Sequence, residues 1–308
     1  MEQGVIVKST GKSYKVLTSD GSVIECSIKG RFRVRDIKTT NPLAVGDQVI
    51  FEREAKGSGG VISELLDRRN YIIRKSINLS KEAQIIASNL DLAIVMASLI
   101  DPETPLEFID RFLVTAEAYR IPAAILFNKT DIYGEAENDY LRYVVKLYES
   151  VGYKTVSISV INRVNVDVLT GMLKGKTTLI AGNSGVGKSS LLNLLNPELK
   201  LKTEKISGYH KQGVHTTTFP EMHLMPFGGS VIDTPGIRGF GVIDMEKEEI
   251  YHFFPELFRE SKNCRYYNCL HINEPYCAVI KAVEDGKISV SRYRSYLSIV
   301  EGDKDRYR

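Results

Sequence analysis

The sequence predicts an α/β protein in three successive units: a small β-barrel over residues 1–67, a mostly parallel sheet covered by helices over 68–245, and an α-rich unit over 246–308. Three observations predict it. Five short apolar segments crowd into the first unit, strand and helix patterns alternate through the second, and three of the four cysteines gather in the third. A 43% hydrophobic and 26% charged composition over 308 residues suits packed cores. The longest apolar stretch, LDLAIVMASLI over 90–100, is too short for a membrane span and contains Asp91. No charged-then-apolar leader opens the chain. A cytoplasmic monomer with no membrane partner is therefore expected.

The five segments of the first unit are GVIV, YKVL, VIECSIKGRFRV, DQVIFE and VISEL, punctuated by Gly and Asp at 19–22 and 45–47. Five strands in so short a span point to an OB-fold β-barrel. Cys26 reads as a buried strand residue. Arg31, Arg33 and Arg35 alternate with Phe32 and Val34, so the three arginines share one strand face, either solvated or set against phosphates. The net charge of +3 is too small to decide between these.

In the second unit TTLIAG (177–182) reads as a buried strand and SSLLNLL (189–195) as a helix, with GNSGVGKS between them. This is a phosphate-binding P-loop. Gly182, Gly185 and Gly187 permit the tight turn, so that the backbone N–H groups of Asn183, Ser184, Val186 and their neighbours up to Ser190 face phosphate at a helix start. Lys188 reaches the outer phosphates, and the Ser189 hydroxyl is placed to ligate Mg²⁺. A second motif, Asn128-Lys129-Thr130-Asp131, follows the apolar strand PAAILF (122–127). Asp131 would accept from the N1 and N2 edge of guanine, Asn128 would hold the base from the other side, and the Lys129 stem would cover it. Ser157 and Ser159, at the end of the next strand, are candidates for the loop touching the guanine oxygen. An earlier strand, DLAIVMAS, is followed by the helix EFIDRFLVTAEAYR, whose Phe108, Ile109, Phe112 and Leu113 share one side.

The order is unusual: the guanine motif precedes the P-loop, the reverse of ordinary guanine-nucleotide switches. It identifies a circularly permuted P-loop GTPase domain. Downstream, GVHTTT (213–218) offers a threonine for Mg²⁺, Thr216 or one of the two that follow it, and DTPG offers Asp233 for the outer shell of the metal and the Gly236 N–H for the γ-phosphate. Ile237 occupies the place where many switches carry a glutamine that orients water, so intrinsic hydrolysis should be slow. His215 is the nearest group that could position water, or it contacts the partner. Gly185 stands where potassium-stimulated GTPases typically place an asparagine, and no potassium dependence is expected.

The third unit carries Cys264, Cys269, His271 and Cys277 in the spacing C-x4-C-x-H-x5-C. In a reducing compartment four such ligands favour one structural Zn²⁺ with no open position, the other reading being reduced core cysteines. This makes the third unit a C-terminal zinc-binding α-rich domain. Tyr293, Tyr296, Leu297 and Val300 recur at helical spacing and read as core.

NKTD, then GNSGVGKSS, GVHTTT, DTPGIRGF and the cysteine–histidine cluster together resemble the ribosome small-subunit-dependent GTPase A family over nearly the whole chain. Asn183 stands where many members have glutamine, and Val214 where many have arginine, without loss of a phosphate or metal ligand. The resemblance implies GTP and GDP with Mg²⁺, one Zn²⁺, and late maturation of the 30S subunit through its 16S rRNA, with other maturation factors as further partners. A GTPase acting on another RNA target, or an RNA-binding module with a structural nucleotide, are the alternatives. Because the second switch runs straight into the third unit, a shift near 233–241 could move that unit without a linker.

Overall fold

The computed structural model describes residues 1–11, 13–28, 42–54, 59–75, 83–203, 220–234 and 245–302. Strands β1 (Glu2–Ser9), β2 (Tyr14–Thr18), β3 (Val23–Ile28), β4 (Gln48–Arg53) and β5 (Gly59–Leu65) form the first unit. Their order closes on itself as β1-β2-β3-β5-β4-β1, with β3 and β5 parallel and the other pairs antiparallel. That is an OB-like barrel. Alternation drives it: Tyr14 and Val16 point inward past an exposed Lys15, and Ile24 and Cys26 flank an exposed Glu25. The three arginines at 31, 33 and 35 lie outside the described residues.

A hairpin, β6 (Tyr71–Lys75) with β7 (Ala83–Ser88), connects the barrel to the nucleotide body. The sequence signal for it is weak, because its strands are short and the paired isoleucines at 72–73 and 85–86 break strict alternation. Buried Asp47 fastens the barrel here. It accepts from Arg68 Nε and Nη2 at 2.6 Å each, from Ser88 Oγ at 2.6 Å and from the Ala44 N–H at 2.7 Å.

The nucleotide body follows as β8 (Leu92–Ala97), α1 (Leu106–Ala118), β9 (Ala123–Phe127), α2 (Glu135–Val151), β10 (Lys154–Ser157), α3 (Val166–Leu173), β11 (Thr177–Gly182), α4 (Lys188–Leu195), β12 (Glu221–Leu224) and β13 (Ser230–Asp233). The strand order is β10-β9-β8-β11-β13-β12, parallel except for β12. All six residues of β8 are buried, as expected of a central parallel strand covered on both faces. Val95 and Ile125 pack with Phe112, Leu113 and Tyr148 on one face, while Ile94, Met96 and Ile180 pack with Leu169, Leu191 and Leu192 on the other. The edge strand β12 pairs with β1 at Lys8 and Glu221, whose side chains form a 2.7 Å ion pair. Barrel and nucleotide body thus share one 11-stranded sheet.

Helices α5 (Pro255–Ser261), α6 (Ala278–Glu284) and α7 (Val290–Glu301) build the third unit around Phe254, Leu257, Val279, Tyr296 and Val300. Val114 of α1 belongs to the same cluster, so this core is shared with the nucleotide body. At its centre lies a fully buried arginine, Arg292. Its guanidinium pairs with Asp110 of α1 at 2.7 Å and with both oxygens of Glu256 at 2.6 and 3.1 Å, 4.7 Å from the Phe254 ring centroid. Tyr148 of α2 donates to the same Asp110 oxygen at 2.8 Å.

Candidate nucleotide site and metal centre

The phosphate loop is the turn from β11 to α4. Gly187, at φ +104°, caps the helix, and a Cβ there would stand 2.5 Å from the Asn128 Nδ2 atom. Only glycine permits both the left-handed backbone and this approach. Val186 is buried and anchors the loop, whereas Ser184 and Gly185 face solvent and Asn183, Ser189 and Ser190 are half-buried. Lys188 Nζ donates to the carbonyls of Gly182 at 2.6 Å and Asn183 at 3.1 Å. Burial lowers the proton affinity of this ammonium, against the opposing pull of Asp233.

Asp233 ends β13, next to β11 in the sheet. Its Oδ1 is buried with no hydrogen-bond partner among the described residues, and burial pushes the carboxyl up to about 6, with Lys188 pulling it down and Glu221 adding a smaller upward push. Among the described residues the Lys188 ammonium is thus held by carbonyls, and the Asp233 Oδ1 atom has no partner. A Mg²⁺-bound triphosphate would supply the opposite charge to both, phosphate to Lys188 and the metal to Asp233. The residues present fit that group. Thr216, His215 and Gly236 lie outside the described residues.

The base side is built from three loops. Asn128 is buried, donates through Nδ2 to the Val186 carbonyl at 2.9 Å and accepts at Oδ1 from the Val160 N–H at 3.2 Å. It therefore ties the base loop to the phosphate loop. Lys129 adopts φ +68° and its ammonium donates to the Asp101 carbonyl. Thr130 Oγ1 donates to the Ile158 carbonyl at 3.0 Å. The exposed Asp131 accepts at Oδ1 from buried Ser159 Oγ at 2.6 Å, and Ser159 Oγ accepts in turn from the Asn162 N–H at 3.0 Å. Ser159 is thus brought to Asp131, whereas Ser157 accepts at its carbonyl from Asn165. Sequence reasoning missed Tyr133. Its hydroxyl donates to the Asn128 carbonyl at 2.7 Å and accepts from the Leu99 N–H at 2.9 Å, bracing the base loop from beneath. A lone tyrosine after NKTD carries no periodic signal.

In the third unit the ligand atoms of Cys264, Cys269, His271 and Cys277 all lie within 4.8 Å of one another. His271 Nδ1 is 3.6 Å from Cys264 Sγ and 3.4 Å from Cys277 Sγ, and those sulfurs are 3.9 Å apart. Tetrahedral thiolates around zinc stand roughly 3.8 Å apart, from metal–sulfur bonds of about 2.3 Å. The Ala278 N–H points at Cys264 Sγ (3.3 Å) and the Ile280 N–H at Cys277 Sγ (3.5 Å), donors that favour thiolate. Without a metal, burial drives the Cys269 thiol up to about 12, and burial lowers His271 toward the neutral ligating form. The donor set fits a closed, structural zinc site.

Fold and sites together define the class: a circularly permuted GTPase with an OB-like barrel before it and a cysteine–histidine cluster after it. A family model described as RsgA GTPase matches residues 65–243, and one described as RsgA N-terminal domain matches residues 3–62. A protein of Christiangramia forsetii named small ribosomal subunit biogenesis GTPase RsgA is 52% identical over 308 residues, 99% of this chain and 98% of its own length. A Bacteroides fragilis protein of the same name is 52% identical over 307 residues, 99% of each. Among solved structures, YjeQ from Thermotoga maritima matches with TM-score 0.79 and 33% identity, covering 98% of this chain and 99% of that one. YloQ, described as a circularly permuted GTPase, matches with TM-score 0.75 and 31% identity, covering 100% and 96%. The chain belongs to the RsgA GTPase family and is a GTP hydrolase.

Proposed function

We propose that this protein acts in late maturation of the small ribosomal subunit, binding the 30S particle and its 16S rRNA in the GTP form and leaving after the particle stimulates hydrolysis to GDP and phosphate. The observation that carries the reading is full-length identity of about half to relatives named for that process, and the Asn128–Val186 and Ser159–Asp131 hydrogen bonds support a guanine and phosphate site. Within it, Ser189 and Thr216 hold Mg²⁺, Asp233 orders its outer shell, Gly236 senses the γ-phosphate, and His215 positions water. Zn²⁺ occupies the cysteine–histidine cluster and keeps the third unit folded. Three units, 1–67, 68–245 and 246–308, work as a barrel, a nucleotide switch and a docking module. The protein works as a cytoplasmic monomer, and departure of other maturation factors accompanies hydrolysis.

The test is multiple-turnover GTP hydrolysis with purified 30S subunits, 50S subunits or tRNA. Stimulation on the order of 10²-fold or more is expected from 30S alone. Equal rates with and without 30S would sink the proposal.

A further inference from the structure

The zinc-cluster unit displays aromatic side chains that its own fold does not use. Tyr267 is 99% exposed and Tyr276 is 75% exposed, the former among the most exposed large side chains of the described residues. Tyr276 also holds φ +61°, a left-handed backbone that bulky side chains rarely adopt. Packing explains neither residue.

The metal ligands bring the ends of their two loops together. Arg265 to Asn268 lie between Cys264 and Cys269, and Ile272 to Tyr276 lie between His271 and Cys277, so each tyrosine sits on a loop pinned at both ends by the cluster. Arg265 bridges the loops, its guanidinium carbon 5.8 Å from the Tyr266 ring centroid and 5.2 Å from that of Tyr276. Lys262 adds a second exposed cation nearby, over the Phe258 ring at 5.2 Å. The one carboxylate inside these loops, Glu274, is turned into the backbone and accepts from the N–H groups of Leu270, Ile272 and Asn273. Exposed rings, an arginine stacked against one of them and a carboxylate turned into the backbone make a platform for π-faces joined by negative charge.

We infer that Tyr267 and Tyr276, on the two loops pinned by the cysteine–histidine cluster, stack unpaired bases of single-stranded RNA while Arg265 and Lys262 take the adjoining phosphates. This rests on the ribosomal reading above and names the chemical feature of the particle that the third unit meets. A stacking platform tolerates sequence, because every base offers a π-face, and it disfavours duplex, whose bases already stack on one another. The cations make binding salt-dependent.

The experiment measures, with the full-length zinc-loaded protein, equilibrium binding of a fluorescent 12-nucleotide unstructured RNA and of a duplex of the same length. A parallel assay follows 30S cosedimentation with a non-hydrolysable GTP analogue. The Tyr267→Ala/Tyr276→Ala double variant should bind single-stranded RNA about 10²-fold more weakly, since each stacked base contributes a factor of roughly 10. Tyr267→Phe/Tyr276→Phe should stay near wild type, and Arg265→Gln should lower the salt slope by about one. Zinc content and basal GTP turnover should match wild type in all variants. Wild-type affinity of the alanine variant for single-stranded RNA overturns the inference, as does equal loss in the phenylalanine variant. An alanine variant that keeps RNA affinity but loses 30S assigns the patch to a protein surface and overturns it too. Failure of the wild type to sediment with 30S, with oligonucleotide binding intact, overturns the ribosomal reading instead.

Discussion

At the scale of single residues the nucleotide site is a set of short tethers. Asp131 is exposed, yet it is aimed by Ser159, which the Asn162 N–H holds in turn. Asp131→Asn should weaken GTP binding and admit xanthosine triphosphate, because the amide donates to the xanthine oxygen where the carboxylate accepted from the guanine amine. Discrimination built on such pairs reaches about 10⁴-fold, so a competition assay that still favours GTP would refute the assignment. Much of this was legible beforehand, since NKTD and the P-loop state their chemistry in consecutive residues. The bracing by Tyr133 and the Asn128 bond to Val186 were not, since each joins positions distant in sequence. His215 stands on sequence alone. If it positions water, His215→Ala should lower single-turnover hydrolysis at saturating 30S by about 10²-fold, a barrier rise of roughly 2.7 kcal/mol. A normal plateau reached at higher 30S concentration would make it a contact residue.

At the scale of elements, three strands link the barrel to the switch region. Lys8 of β1 faces Glu221 of β12, and Glu221 faces Asp233 of β13 across the ladder, so the barrel is hydrogen-bonded into the sheet one strand from Asp233. The barrel strands were legible from period-two alternation, but this junction was not, because a single pairing between residues 8 and 221 leaves no local pattern. The third unit would depend on a metal in a different way. Its helices α5 and α6 have seven residues each, too short to persist without tertiary support. The cysteine–histidine cluster lies between them. Cys277→Ser removes a ligand and the sulfur that accepts the Ile280 N–H at the start of α6. It should release zinc and lower the thermal midpoint of the unit while leaving GDP affinity within about twofold, as expected where metal affinity is folding energy. Metal analysis and nucleotide titration check the two halves of this statement. A zinc-free wild type with an unchanged melting curve would refute it.

At the scale of the whole molecule, two buried ionic clusters fix the three units to one another. Asp47 with Arg68 joins barrel to hairpin, and Arg292 with Asp110 and Glu256 joins the third unit to α1. The second cluster bears on how a nucleotide signal could travel. The third unit is mounted on α1 and, through Tyr148, on α2, the helix that follows the base loop. A γ-phosphate signal that moved this unit would have to carry α1 along or break the cluster. The sequence hid the arrangement: Asp110 sits in the apolar stripe of α1 and Arg292 among the tyrosines of α7, each looking like a solvated charge until the partner is in place. Arg292→Met should therefore be costly. It removes the guanidinium that pairs Glu256 and leaves two carboxylates buried, a loss of about 3–5 kcal/mol. Replacing all three, with Asp110→Leu and Glu256→Met added, should recover most of that stability, since an apolar cluster of similar volume carries no desolvated charge. Urea unfolding followed at the third unit reads both numbers. If the single variant unfolds at the wild-type midpoint, the cluster does not hold the third unit on α1, and the unit is free to follow the switch alone.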